Sequence, residues 1–203
     1  MITVINFGST KTPKILSVVS ELGYTCEEKK WNEFSAADYG KQDKIIFSGS
    51  PTFLTEVDHA PYHERFSCIK EGKVPVLGIC FGHQVMGILH GAQIFRGKEV
   101  RTTIPIHIVQ DDGLFKGLTS TTTMAEDHTE GISLPAQFVH LAFSDDYAIE
   151  AMRHPQLPLW GIQFHPEVSG DNGKRLLENF EVIFTNFKGA FKKKFLSAFP
   201  SSS

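Results

Sequence analysis

The 203-residue chain has little of several features that would mark whole classes of protein. No segment approaches the roughly eighteen consecutive apolar residues of a transmembrane helix, so we expect no membrane association. The formal net charge is only -3, which gives the molecule no general electrostatic reason to bind nucleic acid. Gly8 is not followed by further glycines at phosphate-binding spacing, so a dinucleotide site is not expected.

Cysteine is also scarce. The three cysteines, Cys26, Cys68 and Cys80, are an odd number without metal-type spacing. Free thiols are typical of a reducing compartment. Because residues 1–7 indicate a first strand rather than a signal peptide, the sequence predicts a cytoplasmic location.

Metal-binding patterns are equally weak. His59 and His63 lie four residues apart, but Pro61 stands between them and a third ligand is not evident. A surface helix start is the simpler interpretation. We therefore expect neither a metal nor a cofactor.

The segments that are present predict an α/β fold. Apolar residues make up 41% of the chain and charged residues 21%, an ordinary globular composition. Strand-like segments alternate with helix-length segments, which predicts a three-layer, mostly parallel open sheet with helices on both faces. Antiparallel strands are expected in addition between about residues 94 and 146. We expect one domain over residues 1–190 and a tail over 191–203.

The individual segments follow from hydrophobic periodicity. The predicted strands cover 2–7, 44–48, 74–79, 104–109, 138–143, 148–152 and 159–164. The first predicted helix begins near Pro13 and ends at Gly23. Further helices are predicted over 61–71, 82–90 and 173–187.

The most informative segment is 78–82, Gly-Ile-Cys-Phe-Gly, which joins an apolar strand to a helix-length stretch. It is the thiol counterpart of the Gly-x-Ser-x-Gly turn, whose glycines make room for a sharp bend. Such a bend holds the Cys80 sulfur at the carboxyl edge of the sheet, where the helix N-terminus favours the thiolate. A buried structural cysteine is the alternative, and we assign it to Cys26 and Cys68. Cys80 is predicted to be a nucleophile.

A cysteine nucleophile needs a base, and the base needs an orienting acid. His128 and His165 are each followed by a glutamate at i+2, and in extended backbone such residues point to the same side. His165 follows the predicted strand 159–164 and should reach the same edge as Cys80, whereas the polar stretch around His128 predicts a loop. The expected triad is therefore Cys80, His165 and Glu167, with Glu167 orienting the ring.

Developing negative charge also needs donors. The backbone N–H of Phe81, just after the nucleophile, is one candidate for an oxyanion hole. The turn 48–51, Ser-Gly-Ser-Pro, could supply a second. The alternative is an ordinary tight βα turn, and the residues alone favour neither.

Two motifs resemble those of the class I glutamine amidotransferase family: 78–84, Gly-Ile-Cys-Phe-Gly-His-Gln, and 161–168, Gly-Ile-Gln-Phe-His-Pro-Glu-Val. Both in this order are far more specific than either alone. The resemblance covers about residues 2–187. Segments 112–118, 150–154 and 176–180 are most similar to the amidotransferase of GMP synthetase, especially its separately encoded form.

The resemblance implies that Cys80 attacks the side-chain amide of glutamine while His165 manages the protons. Ammonia leaves, and water then releases glutamate from a thioester. It also implies that Ser50, with Phe81, provides the oxyanion hole. The residues at the family's substrate-contacting positions are Gln84, Asp127, Thr129 and Glu130.

The chain departs from the family at three places, of which Phe81 in place of the usual leucine, tyrosine or methionine is a mild change. Ser50 replaces the usual glycine, and a left-handed backbone there would cost about 1–2 kcal/mol. The segment 127–130, Asp-His-Thr-Glu, replaces the Ser-His-x-Asp pattern typical of GMP synthetases.

Two functions therefore remain open. The first is an amidotransferase subunit with glutamine as substrate and a separate ammonia-using synthetase as partner, because ammonia in bulk water is quickly protonated and the chain has no ATP-binding loop. The second is a free-standing γ-glutamyl hydrolase or transferase that uses the same triad. A non-catalytic binding module is a third possibility.

Overall fold

The computed structural model describes residues 1–183 and contains one nine-stranded sheet and one two-stranded sheet. The strands are β1 (Ile2–Asn6), β2 (Cys26–Lys30), β3 (Lys44–Phe47), β4 (Val76–Ile79), β5 (Ile94–Val100), β6 (Thr103–Ile108), β7 (Thr121–Ala125), β8 (His128–Ile132), β9 (Val139–Phe143), β10 (Ala151–Arg153) and β11 (Leu159–Ile162). The helices are α1 (Thr12–Glu21), α2 (Ala60–Phe66), α3 (Phe81–Leu89) and α4 (170–183).

The large sheet has the order β2-β1-β3-β4-β11-β10-β9-β6-β7. Its first five strands are parallel, and the remaining four are added in antiparallel pairs. Strands β5 and β8 form the separate antiparallel pair. Strands β4 and β11 are neighbours in register, Ile79 beside Ile162, so the segments that follow them reach the same edge.

Alternating side chains cover both faces of the parallel half, as period-two strands require. Ile45 and Phe47 pack into one core cluster with α2 and α3, whereas Ile46 packs into a second cluster with α1 and α4. Strands β3, β4 and β11 are buried along their whole length and, apart from Lys44 at the start of β3, contain only apolar residues and glycine. This layering leaves the carboxyl ends of β1, β3, β4 and β11 as the accessible rim.

The helix boundaries have local causes. Pro13 lies in the first turn of α1, and Gly23, with φ of 88°, follows its end. The predicted helix 61–71 is shorter than expected: α2 ends at Phe66 and a 3₁₀ segment, Ser67–Glu71, continues. None of the helices within residues 1–183 has the length and apolar content needed to cross a bilayer.

One prediction about the middle of the chain is wrong. The stretch around His128 does not form a loop, because His128 is the first residue of β8 and pairs with Val100 of β5. Hydrophobic periodicity also gives no sign of strand β2, since its sequence Cys-Glu-Glu-Lys-Lys lies on the sheet edge and carries no apolar alternation. The end of the predicted helix 173–187 and the predicted tail 191–203 lie outside the described residues.

Candidate active site

Cys80 occupies a sharp turn between β4 and α3. Its backbone has φ of 50° and ψ of -108°, and it is the only non-glycine residue in the described range with positive φ. A side chain in such a sparsely populated region costs about 1–3 kcal/mol and persists only where the surroundings enforce it. The turn places the buried thiol at the N-terminus of α3, on the rim where β4 and β11 end.

The glycines on either side of Cys80 are required by close backbone packing. A Cβ on Gly82 would lie 2.5 Å from the Phe47 Cβ and 2.6 Å from the Phe47 carbonyl oxygen. A Cβ on Gly78 would lie 2.6 Å from the carbonyl oxygen of Gly82. The Gly82 N–H donates to the Ser48 carbonyl at 3.1 Å, so the sharp turn over residues 78–82, here called the elbow, is connected to the 48–51 turn.

We expect Gly82→Ala to lower the free energy of unfolding by about 1–3 kcal/mol, because the new methyl group must displace backbone. Urea denaturation of the variant and the wild type measures this. Gly113→Ala is the matched control, since its Cβ meets only the end of the Ile183 side chain, at 3.3 Å. Equal urea midpoints for Gly82→Ala and the wild type would contradict the steric account.

His165 links the thiol to a carboxylate. Its Nδ1 lies 2.7 Å from Glu167 Oε1, both side chains are buried, and the imidazole is in hydrogen-bonding contact with the Cys80 thiol. Because Glu167 occupies Nδ1, the Nε2 side of the ring is the side available to Cys80. Burial lowers the pKa of His165, but the Cys80 sulfur and then Glu167 outweigh it and raise this pKa to about 10. The raised pKa of His165 therefore favours the protonated imidazolium form beside the Cys80 sulfur.

The backbone around His165 is held from two directions. Its N–H donates to the Ala125 carbonyl at 2.8 Å, and its own carbonyl accepts from Ser169 Oγ at 2.6 Å. Glu167 lies in a short 3₁₀ helix, Pro166–Val168, that starts directly after His165. The pair therefore meets through a tight helical turn rather than through the extended backbone expected from the i+2 spacing.

The 48–51 turn contacts the catalytic pair through a residue that the sequence motifs do not single out. A Cβ on Gly49 would lie 3.1 Å from His165 Cε1 and would crowd the imidazole, whereas its distance of 3.7 Å from Cys80 Cβ is an ordinary contact. Ser50 has no positive φ, and the backbone strain considered for it does not arise. Phe81 is the first residue of α3, where N–H groups have no intrahelical acceptor.

A cavity of about 340 Å³ opens beside these residues. Predicted residues that line it are Ser50, Cys80, Phe81, Gln84, Asp127, Thr129, Glu130 and His165. Glu167 does not line it, because it lies behind the His165 ring. The cavity is large enough for an amino-acid side chain with its α-groups.

Asp127 contacts the sulfur of the nucleophile through its backbone. Its carbonyl oxygen is 3.9 Å from Cys80 Sγ. Its carboxylate pairs with Lys11 and lies 3.5 Å from Arg101 Nε. Burial would raise the pKa of Asp127, but the hydrogen bond and charge of Lys11 outweigh this and lower it.

Glu130 and Gln84 line the cavity, and the Glu130 carboxylate and the Gln84 Nε2 group are already engaged in hydrogen bonds. The Glu130 carboxylate accepts the backbone N–H groups of Leu54, at 2.7 Å, and Thr55, at 2.9 Å. Gln84 Nε2 donates to the Glu130 carbonyl, at 2.9 Å, and to Gln163 Oε1, at 3.1 Å. These contacts fix the cavity wall, so both residues shape the site whether or not they also touch a substrate.

Sequence reasoning missed Lys11 and Arg101, which bring positive charge to the cavity. Lys11 belongs to the polar turn after β1, and that turn lies at the carboxyl edge of the sheet. Because Lys11 follows a parallel strand, its position in the sequence is a signal that could have marked it as a residue of the cavity. Arg101 follows β5 of the two-stranded sheet, and no motif marks it.

Comparison with known proteins places these observations in a family. The family model described as glutamine amidotransferase class I matches residues 3–183. One subunit of the glutamine-hydrolysing GMP synthase of Methanosarcina barkeri is 38% identical over 144 residues, which are 70% of this chain and 73% of that protein. The same subunit from Pyrococcus furiosus is 37% identical over 146 residues, 70% of this chain and 76% of that protein.

Two solved structures have folds similar to that of this chain. A protein of Thermoplasma acidophilum described as the same GMP synthase subunit has a TM-score of 0.85 and 26% identity, covering 94% of this chain and 96% of that one. A glutamine amidotransferase of Thermotoga maritima has a TM-score of 0.69 and 21% identity, covering 92% and 84%. These likenesses confirm the α/β fold class predicted from the sequence.

Proposed function

Since this chain belongs to the class I glutamine amidotransferase family, we propose that Cys80, His165 and Glu167 hydrolyse the side-chain amide of glutamine. The observation that carries the assignment is the contact of one buried imidazole with both the thiol at the strained elbow and the Glu167 carboxylate. The cavity beside them supports a substrate of amino-acid size.

The proposed reaction has two halves. The Cys80 thiolate attacks the amide carbon, and the resulting oxyanion is stabilised by the N–H of Phe81 and by the 48–51 turn. The carbon–nitrogen bond breaks as protonated His165 gives its proton to the leaving ammonia, leaving a γ-glutamyl thioester. His165 then takes a proton from water, which attacks the thioester and releases glutamate and the thiolate.

Gln84, Asp127, Thr129 and Glu130 are proposed to bind the α-amino and α-carboxyl groups of glutamine. The position of the Asp127 carbonyl beside Cys80 Sγ supports a direct contact for that residue. Glu130 and Gln84 act chiefly by holding the wall in place through their backbone partners.

The proposed partner is a separate synthetase subunit of the GMP synthase type, which would consume the ammonia. The supporting fact is that the Methanosarcina and Pyrococcus relatives are each named as one subunit of a glutamine-hydrolysing GMP synthase. A physical argument points the same way: ammonia released into bulk water is protonated and loses its nucleophilicity. A docked synthetase would keep it neutral.

Titration with the candidate synthetase subunit, its nucleotide substrate and ATP tests the partner. We expect glutaminase kcat/KM to rise at least tenfold and glutamate to form in step with aminated product. In the complex with Cys80→Ala, glutamine should fail as nitrogen donor while added ammonium still works. Unchanged glutaminase turnover, with no glutamine nitrogen in the product, would contradict this partner.

A free-standing γ-glutamyl hydrolase is the second candidate. It is favoured by the segment 127–130, where Asp127 is bound by Lys11 and Arg101 instead of matching the GMP synthetase pattern. Comparing kcat/KM for glutamine with that for a γ-glutamyl peptide distinguishes the two. We expect glutamine to be preferred, and preference for the peptide would select the hydrolase.

Two further points belong to the proposal. The first is that residues 1–190 form one amidotransferase domain, and the second is that the protein is cytoplasmic. The match of the family model to residues 3–183 supports the former. The free state of Cys26, Cys68 and Cys80 supports the latter, since disulfides are rare in that compartment.

A further inference from the structure

A group of three buried ionisable side chains lies next to the cavity and has no part in the reaction above. It consists of Glu126, His128 and Glu150, one oxygen or nitrogen of each lying within 4.8 Å of the others. All three are at most 8% exposed. Glu126 and His128 flank Asp127, whose carbonyl faces Cys80, and Glu150 immediately precedes β10.

The hydrogen bonds of His128 determine its tautomer. Its Nδ1 lies 2.8 Å from the Glu130 carbonyl oxygen, which can only accept, so Nδ1 carries the hydrogen. Burial lowers the pKa of His128, so the ring is neutral and Nε2 presents a lone pair. The Nε2 atom lies 3.1 Å from Glu126 Oε2. Two lone pairs at this distance repel each other, so a proton must lie between them.

Glu150 needs a second proton. Its Oε1 accepts from Ser144 Oγ at 2.7 Å, whereas Oε2 has no donor within residues 1–183 and its carboxyl group contacts that of Glu126. Burial raises the pKa of Glu126 to about 8. Burial, and then the charge of Glu126, raise the pKa of Glu150 to about 9. Two buried carboxylates side by side would be strongly destabilising. If both groups are carboxylic acids instead, every oxygen and nitrogen of Glu126, His128 and Glu150 that otherwise lacks a hydrogen-bond partner gains one.

We propose that Glu150, Glu126 and His128 are positioning residues that form a proton-sharing chain of hydrogen bonds. The Ser144 hydroxyl donates to Glu150, the Glu150 carboxylic acid to Glu126, the Glu126 carboxylic acid to His128 Nε2, and His128 Nδ1–H to the Glu130 carbonyl. The chain fixes the backbone over residues 126–130. It therefore holds the Asp127 carbonyl at the thiol and, through Glu130, the loop at Leu54.

The other ionisable groups that face this hydrogen-bond chain do not titrate near neutral pH, so Glu126 and Glu150 account for the titration there. The pKa of Tyr147 is raised to about 12 and that of His83 is lowered to about 3, both chiefly by burial, so neither changes charge between pH 5 and 9. The pKa of His165 is raised, and that of Asp127 is lowered through Lys11. Glu130 also lies nearby, and its carboxylate oxygens accept hydrogen bonds from backbone N–H groups.

Linkage gives the sign of the effect on stability. The folded protein binds more protons on Glu126 and Glu150 than the unfolded chain, whose carboxyl pKa is about 4.5. The stabilisation is fully present below pH 4.5 and is lost as pH rises through about 8 to 9. Glutamine at position 126 cannot ionise, yet its amide N–H can donate to His128 and its oxygen can accept from Glu150.

The first test measures the melting temperature of the protein from pH 5.5 to pH 9.5 in the presence of EDTA. We expect Glu126→Gln and Glu150→Gln to melt close to the wild type at pH 5.5 and at least about 3 °C above it at pH 9.5. The exposed-site control Glu64→Gln should follow the wild type throughout. A constant deficit of Glu126→Gln at every pH would overturn the proposal, because it would show that the carboxylate itself is required.

The second test separates this proposal from the proposed function on which its catalytic part rests. The KM of the wild type for glutamine should rise reversibly above pH 8, whereas Glu126→Gln keeps its KM within about threefold and Glu126→Ala has a raised KM at all pH values. A metal ion bound stoichiometrically to the wild type, lost in Glu126→Gln and removed by EDTA with a fall in melting temperature, would overturn the proton chain. If the melting profiles are as expected but glutamine is not hydrolysed, the proposed function is contradicted while the proposed hydrogen-bond chain is still supported.

Discussion

Replacing Cys80 with alanine should reduce kcat/KM for glutamine by at least about 10⁴-fold, because removal of the nucleophile of a triad leaves only binding and oxyanion stabilisation. The thiol is the atom that forms the thioester, and no other described sulfur lies at the cavity. Glutamate release, followed by a coupled dehydrogenase assay, measures the effect.

Controls at the other cysteines sharpen this test. Cys26→Ala and Cys68→Ala should retain activity, since Cys26 contacts the Leu16 carbonyl and Cys68 the Arg65 carbonyl, both away from the cavity. A melting temperature for Cys80→Ala near that of the wild type shows that the elbow still folds. Substantial glutamate release by Cys80→Ala would refute the nucleophile assignment.

Glu167→Gln should lower kcat by about 10³–10⁴-fold with a small change in KM, as expected when the partner that orients a catalytic histidine loses its charge. The amide can present an N–H to Nδ1, which forces the wrong tautomer. The substitution also removes a charge that helps raise the pKa of His165, so the imidazolium form of His165 is destabilised.

Single-turnover and steady-state kinetics of Glu167→Gln measure that loss. Glu64→Gln, at an exposed position of α2, is the matched control and should behave as the wild type. If Glu167→Gln retained more than a tenth of the wild-type kcat, Glu167 would be structural and not part of the triad.

The parallel half of the fold and the residues around Cys80 were accessible from the sequence because their causes are local. Strands β3, β4 and β11 are buried along their whole length and are almost entirely apolar, and β1 is buried over its first four residues. The elbow glycines and the His-Pro-Glu segment carry their geometry in neighbouring residues. Parallel strands then bring their carboxyl ends to one rim.

Other parts depend on contacts between distant segments, which no local pattern contains. Strand β8 carries the charged residue Glu130, whose buried carboxylate is satisfied by the distant backbone N–H groups of Leu54 and Thr55, so the sequence alone indicated a loop. A side chain at Gly49 would crowd His165, 116 residues later in the chain. Lys11 reaches Asp127 over the same sequence distance.

The chemical identity of the nucleophile is the central claim, and covalent labelling tests it most directly. The folded protein is treated with one equivalent of a chloroketone analogue of glutamine, and intact-protein and peptide mass spectrometry locate the adduct. We predict one adduct per chain on Cys80, blocked by excess glutamine and absent from Cys80→Ala. Labelling of Cys26 or Cys68 instead, or no labelling under native conditions, would contradict the account.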